Sequence, residues 1–338
     1  MNEAPLAGCT GEGILTHHIF DESHFSVIVM AIKSDEIRFK NIIVENLGAD
    51  PESCGRKIGE AFTEEDLKYG KALFLFPDCS KLNFDRLHDG LKSSINPPNF
   101  LPLLGGTSGD SWEFKRIHQY HNDSILSDSV TAVLMSGDCE IVSAFDHGCL
   151  PIGESLTITK CENNIIQEID NKPALDVFKE YLEGEEFENL QKAFAHVTIG
   201  FKTESAEKQD DDQMYIRYIP STNEEAGSVE IPTEVKVGQS LWFTRRDHER
   251  VLNGMKDIAD DMSKKLAGRK PKLMFQFECA GRGKMLFRES EVVATQDELQ
   301  SNFNESLPWI GFFVYGEIAP VEEENCFHNY TTVLAAVV

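Results

Sequence analysis

Apolar and polar positions alternate along much of this chain, and where they do not, apolar residues recur at helical spacing. His24 to Ile32 and Glu36 to Val44 read as two strands, the second alternating at Ile37 and Phe39 and then Ile42. Asp50-Pro51 opens a helix carrying Ile58, Ala61 and Phe62. Leu73 to Phe76 is continuously apolar, the pattern of a strand buried on both faces. Phe84, Leu87, Leu91 and Ile95 follow at helical spacing until Pro97-Pro98 ends them. Strands are predicted over Phe114–Tyr120, Val130–Met135 and Ile141–Phe145, then a turn cluster at 146–153 and a hairpin joining Ser155–Lys160 to Ile165–Ile169. Pro173 starts a helix with Leu175, Phe178, Tyr181 and Leu182 on one face. Thr203 to Gln213 is polar and acidic, the composition of a surface loop. From Asp247, the stripe Val251, Met255, Ile258, Ala259, Met262 and Leu266 predicts a long helix stopped by Gly268. Leu273 to Phe277 reads as another buried strand, and Thr295-Gln296-Asp297-Glu298 as the capping box of a last helix. Hairpin-like strand pairs interrupt the alternation of strands and helices. The expected class is therefore α/β or α+β with mixed sheets, in two domains.

One phrase recurs three times: Pro5-Leu6-Ala7-Gly8-Cys9-Thr10-Gly11-Glu12, Pro102-Leu103-Leu104-Gly105-Gly106-Thr107-Ser108-Gly109-Asp110, and a degenerate Pro308-Trp309-Ile310-Gly311 leading to Gly316-Glu317-Ile318. Each is followed by a β-rich run, and the second and third are preceded by a strand ending in Asp78-Cys79 or Glu278-Cys279 and then a helix-like segment. Repetition on this scale means one strand-helix-strand-strand unit used several times. The first copy has no strand and helix before it, so the expectation is a first unit entered midway, with a sheet neighbour of Leu6–Thr10 and Phe25–Ile32 missing.

Composition narrows the function classes. With 57 acidic against 32 basic residues the formal charge is −25, a field that repels nucleic acid and anionic lipid. No apolar stretch approaches the ~20 residues of a membrane span, and Glu3 and Pro5 stand where a signal peptide would need apolar residues. Eight scattered cysteines suit reduced thiols in a cytoplasmic setting. Metal spacing is poor: His17-His18 and His118-x-x-His121 lack partners at zinc-like separation.

The candidate chemistry lies in turns. Gly8-Cys9-Thr10 and Gly105-Gly106-Thr107, with Asp110 at the edge of the second, combine hydroxyls with unobstructed amides. Such turns either cradle a carboxylate or phosphate or are tight strand-to-strand turns needing positive φ. His147, between Asp146 and Gly148, is a proton carrier, a metal or haem ligand, or a hydrogen-bonding turn residue. Cys279 in Phe277-Glu278-Cys279-Ala280-Gly281-Arg282-Gly283 is a nucleophile or an inert buried thiol. Arg282, flanked by glycines, offers a guanidinium to a carboxylate. No Ser-His-Asp context or Gly-x-Ser-x-Gly elbow occurs.

Taken together, GCTGEG at 8–13, GGTSGD at 105–110, HGCLPIGESLTITK at 147–160, NKPALDVFKEYL at 171–182, FECAGRG at 277–283, GFFVYGEI at 311–318 and HNYTTVLAAVV at 328–338 resemble the FIST family (F-box and intracellular signal transduction proteins). The resemblance implies a FIST N-terminal domain over 1–170, without its opening strand and helix, and a FIST C-terminal domain over 171–338. It implies an intracellular sensory pair that binds an amino acid or related metabolite and signals through attached or partner modules, with no catalysis of its own. The pocket is expected at the Gly-Thr turns with Arg282 and Glu317. The alternatives are a substrate-recruiting adaptor of an F-box ubiquitin ligase, or a haem-binding nitric-oxide sensor using His147. The partners expected are a small molecule and signalling or ubiquitin-ligase proteins, without nucleic acid or membrane, and without a resident metal or other cofactor.

Overall fold

The structure is a computed structural model that describes residues 4–23, 25–187, 189–203 and 214–338. The predicted acidic loop therefore lies, beyond Thr203, outside the described residues. The chain divides into two compact units, one of residues 1–146, 255–327 and 331–338, the other of 147–254 and 328–330.

The first unit is built from repeated pieces. In chain order it runs β1 (Gly13–Thr16), β2 (Ile19–Asp21), β3 (Ile37–Glu45), α1 (Pro51–Glu60), β4 (Gly70–Pro77), α2 (Phe84–Ser94), β5 (Leu103–Gly106), β6 (Ser129–Gly137) and β7 (Ile141–Asp146). It resumes in the helix α3 (His248–Leu266), which enters this unit at Met255, and continues through β8 (Leu273–Cys279), α4 (Glu289–Gln300), β9 (Trp309–Val314), β10 (Glu317–Val321), β11 (Glu324–His328) and β12 (Thr332–Val337). Two six-stranded sheets result, ordered β3-β6-β4-β5-β10-β11 and β7-β12-β8-β9-β1-β2. Position by position the two correspond. In each, a parallel pair joined through a helix, β4–β5 or β8–β9, is flanked by antiparallel neighbours. The hairpin finishing each sheet comes from the other end of the chain: β1–β2 completes the sheet of β8 and β9, and β10–β11 completes that of β4 and β5. The recurring phrase thus reflects a real structural duplication whose halves exchange hairpins.

The sheets pack face to face through Phe74, Leu104 and Met135 from one and Phe277, Val333, Ala335 and Val337 from the other. Phe74 lies 4.7 Å from Phe275, centroid to centroid. The far side of the first sheet is covered by α1 and α2 through Ile58, Leu87 and Leu91. These helices touch main chain to main chain, since a Cβ on Gly55 would stand 2.0 Å from the Leu87 carbonyl oxygen and one on Gly90 1.9 Å from that of Glu52. The N-terminus of α1 is fixed as its sequence suggests: Asp50 accepts the Ser53 N–H at 2.9 Å, with Pro51 in the first turn. Along β8, Phe275 and Phe277 face the other sheet, so Gln276 and Glu278 face α4.

The second unit holds a sheet in which Cys149–Glu162 pairs with both Ser240–Arg246 and Ile165–Ile169, over a core including Phe178, Val197, Phe201 and Phe243.

Four local expectations are corrected. The segment 25–33 joins no sheet: Phe25 is 97%, Val27 84% and Val29 75% exposed. Alternation signals an extended chain, whereas pairing needs a neighbour that no described strand supplies. Of Phe114–Tyr120 only the end becomes strand, as Gln119–His121, because Ser111, Trp112 and Phe114 adopt positive φ. The last helix begins at Glu289, six residues before the Thr295 capping box, with Glu291 closing back on the Arg288 N–H at 2.8 Å. Gly105 and Gly106 lie inside β5 rather than in a turn. Gly105, at φ 137°, leaves room for the Leu75 carbonyl, which a Cβ would meet at 2.1 Å.

Candidate functional site

At the C-terminal end of β8 the apolar run gives way to Glu278 and Cys279, and the short turn Ala280–Arg282 folds the Arg282 guanidinium back under the sheet. Both Arg282 and Glu278 side chains are 0% exposed, and the Arg282 Nε–H donates to Glu278 Oε1 at 3.0 Å. Arg282 Nη1 also lies 3.3 Å from Asp146 Oδ2 on β7. Glu278 further accepts from the Thr332 hydroxyl at 2.8 Å, Gln276 Nε2 at 3.0 Å and Gln296 Nε2 at 3.3 Å. The Trp309 indole N–H donates to Gln276 Oε1 at 3.0 Å, tying β9 into the network. Burial raises the Glu278 carboxyl above its ordinary range, and Arg282 with these donors works against that rise.

Glu317 opens β10 and is fully buried. It accepts the Thr331 N–H at 3.0 Å. Burial pushes its carboxyl well above the usual range, while the Thr331 amide and the Cys279 thiol beside it favour the ionised form and the charge of Glu278 opposes it. Glu317 pairs with Gly106 across β5, whose next residue, Thr107, is buried with no partner for its hydroxyl.

Glu12 is the counterpart of Glu317 in the duplicated fold, preceding β1 as Glu317 opens β10. It is 2% exposed. Its Oε2 accepts the Tyr315 hydroxyl at 2.6 Å, and its Oε1 has no hydrogen-bond donor, although the Lys284 ammonium stands 3.4 Å away. Lys284 donates its main-chain N–H to Glu22 Oε2 at 2.9 Å and its ammonium to the Glu22 carbonyl at 3.0 Å. The other Glu22 oxygen, Oε1, is buried without a donor. A Cβ on Gly283 would stand 2.4 Å from that oxygen, so the Glu22 side chain would have to shift to admit one. Burial raises the Glu22 carboxyl, with the charges of Glu12 and Glu278 adding to the effect and Lys284 opposing it. The FECAGRGK run therefore points one cation inward and holds the next at the rim.

Beside this rim lies an aromatic loop. The Asp110 carboxylate accepts the N–H groups of Phe114, Lys115 and Arg116 at 2.5–2.7 Å. Trp112 stacks on Tyr315 with centroids 4.4 Å apart, and Phe114 lies 5.3 Å from the same ring.

Of the residues singled out in the sequence, Cys279, Arg282, Glu317 and Thr107 come together around this polar centre, and Asp110 anchors the aromatic loop. Gly8 and Cys9 lie in the strand Ala7–Cys9, which pairs with Gln119–His121. Thr10 accepts the His118 N–H on its hydroxyl at 3.1 Å, and its carbonyl accepts the Gly109 N–H at 3.1 Å, so the first and second glycine phrases meet. Burial pushes the Cys9 thiol far up. His147 belongs to the second unit, 3% exposed, with Nδ1 accepting the Cys149 N–H at 3.0 Å. Glu12, Glu22, Glu278, Lys284 and Tyr315 were not singled out. The acid shared by Gly11-Glu12 and Gly316-Glu317, and the lone acid ending an apolar strand at Glu278, were the available signals. Among the described residues no group of three or more His, Cys, Asp or Glu is placed to hold a metal ion.

Comparison with known proteins matches residues 1–172 to the FIST N domain and 174–320 to the FIST C domain. The chain belongs to the FIST family. FIST domains are signal-transduction sensory domains. An uncharacterized protein of Mycobacterium tuberculosis is 26% identical over 100% of this chain and 85% of its own length. One of Mycobacterium bovis is 27% identical over 65% of this chain, a match spanning 56% of that relative's length. One of Methanocaldococcus jannaschii is 23% identical over 85% of this chain and 57% of its own length. Among solved structures, a chorismatase aligns at TM-score 0.35 and 9% identity, over 90% of this chain and 76% of its own. Among the described residues no helix is long and apolar enough to cross a membrane.

Proposed function

We propose that the first unit of this FIST protein is an intracellular sensor that binds a small amino-acid-like metabolite at the rim formed by Glu12, Glu22, Lys284 and Tyr315, and passes occupancy to attached or partner modules. The observation that carries this reading is the electrostatic mismatch there. Two carboxylates present buried oxygens without hydrogen-bond donors to a single ammonium. Buried polar atoms are normally satisfied, and leaving one unmade costs ~1–3 kcal/mol. A ligand or ordered water that supplies donors removes that cost. The reading assigns no chemical step: Cys279, the nucleophile candidate, is 5% exposed. Eight cysteines, none joined in a disulfide, suit a reducing compartment.

A ligand at concentration L stabilises the folded protein by RT ln(1 + L/Kd), about 2.7 kcal/mol at one hundred times Kd. A thermal-shift screen with amino acids, amines, organic acids and sugars is therefore the test. A saturable rise in Tm with at least one class supports the sensor, and no movement with any class removes it.

A second reading, a recruiting adaptor in a ubiquitin ligase, draws on the exposed Phe25, Val27 and Val29 strip. It expects association with a partner that the triple Ser variant at those positions abolishes, with every metabolite response intact.

A further inference from the structure

Resting on the sensor reading, we propose that the ligand is an organic cation. A primary ammonium sits between Glu12 and Glu22, and an apolar body lies on Trp112, Phe114 and Tyr315. The acidic end is built as a cation seat already occupied by the protein's own cation. The Glu12 side chain is 1% exposed and its Oε1 takes no hydrogen bond, while the half-exposed Lys284 ammonium reaches to 3.4 Å of it. Glu22 adds a second donorless oxygen and grips the Lys284 main chain, so two carboxylates are balanced by one ammonium. An anion entering here meets two like charges, and a neutral hydroxyl compound gains only hydrogen bonds. A cation completes the balance.

The aromatic side argues independently for an organic ligand. Tyr315 bridges the two ends, its hydroxyl donating to Glu12 while its ring stacks on Trp112. Trp112 remains 41% and Phe114 53% exposed, both at positive φ, 62° and 52°. Bulky residues rarely take that conformation. The surrounding loop holds them in it through the three amides on Asp110 and the Trp112 N–H to the Tyr315 oxygen. Exposed aromatic faces next to buried carboxylates are the chemistry that recognises alkylammonium groups by cation–π attraction. The chain's net charge of −25 raises the local concentration of cations around it.

In this arrangement Lys284 competes with the ligand, and that separates a cation seat from a structural ion pair. Calorimetric titration of the whole chain would use phenethylamine and butylamine, with phenethyl alcohol and phenylacetate as neutral and anionic controls. The amines should bind at least tenfold more tightly than either control. Trp112→Ala should weaken phenethylamine about three- to fivefold, in line with a cation–π contact near the surface, and Glu22→Gln at least tenfold. Lys284→Met should tighten both amines several-fold, where a purely structural pair would leave them unchanged or weaker. Binding of the controls as tightly as the amines overturns the proposal. So does indifference of amine binding to both Trp112→Ala and Glu22→Gln, or amine binding by Lys284→Met that is unchanged or weaker. Trp112 and Lys284 are surface positions, so these variants report even where Glu22→Gln fails to fold. If anionic or neutral metabolites shift Tm and amines do not, the sensor reading survives and this one falls.

Discussion

Replacing Arg282 by Met probes the buried network directly. The guanidinium stands 3.0 Å from Glu278 Oε1 and 3.3 Å from Asp146 Oδ2, with Glu278 and Arg282 at 0% side-chain exposure and Asp146 at 16%. At an effective dielectric of ~20 and ~3 Å separation, the Glu278 pairing alone is about 5 kcal/mol of attraction, much of it offset by desolvation of both groups. Met keeps most of the volume but leaves Glu278 charged and uncompensated, or forces it to take up a proton. Breaking a buried pair on one side costs about 3–5 kcal/mol, a large part of a domain stability of ~5–15 kcal/mol. Urea unfolding at pH 7, followed by fluorescence of the buried Trp309, reads that loss. The double variant Arg282→Met with Glu278→Gln removes the orphaned charge, and Gln keeps a carbonyl to accept from Thr332. It should recover at least half of the lost stability. If the double variant is as unstable as Arg282→Met or worse, the loss comes from packing and not from uncompensated charge, and the electrostatic reasoning fails.

Other parts of the structure yield sharper local outcomes. Gly90→Ala places a methyl 1.9 Å from the Glu52 carbonyl, so α1 and α2 must separate, and urea unfolding should show a loss of about 2–3 kcal/mol; a loss under about 0.5 kcal/mol contradicts the main-chain contact. Burial raises the Glu317 carboxyl, so the folded state binds its proton more tightly than the unfolded state. That contribution is fully present below the ordinary carboxylate range and is lost as pH climbs through the raised value. Glu317→Gln should therefore flatten the decline of Tm with rising pH above the ordinary carboxylate pKa, and an unchanged pH profile refutes the assignment. Phe25→Ser with Val27→Ser should alter stability by no more than about 0.5 kcal/mol per site and lower binding of an apolar dye, because these side chains are 97% and 84% exposed; a loss beyond about 2 kcal/mol means the strip is covered in solution.

Local features were legible in the sequence because their causes are local. The Asp50 cap, the stripe along α3 and the hairpin around 163–164 each follow from residues a few positions apart. The repeat was also visible, and the matched sheets realise it. What the repeat did not reveal is that β1–β2 crosses to pair with β9, and β10–β11 with β5, since such pairing is decided by strands far away along the chain. The same limit explains 25–33, where alternation marks an extended chain but says nothing of a partner. Gly105 and Gly106 were visible as special and read as turn residues, whereas they serve close approach of neighbouring strands. Cys279, Arg282 and Glu317 stand out through their motif, and the fold brings them together. Glu12 stands out in the sequence only as the acid at the edge of the first glycine turn, repeated at Glu317, and an isolated Lys284 carries no signal until the fold sets the two 3.4 Å apart.

The most direct measurement is a nitrogen-15 NMR titration of the whole chain with phenethylamine. Trp112, Trp242 and Trp309 give three indole resonances, with Trp112 in the aromatic loop, Trp309 bonded to Gln276 and Trp242 in the second unit. The account predicts that the Trp112 indole and the Lys284 amide shift together and saturably, while Trp242 stays in place. Saturable shifts confined to Trp242 and its unit, or an unmoved Trp112 at millimolar amine, contradict it.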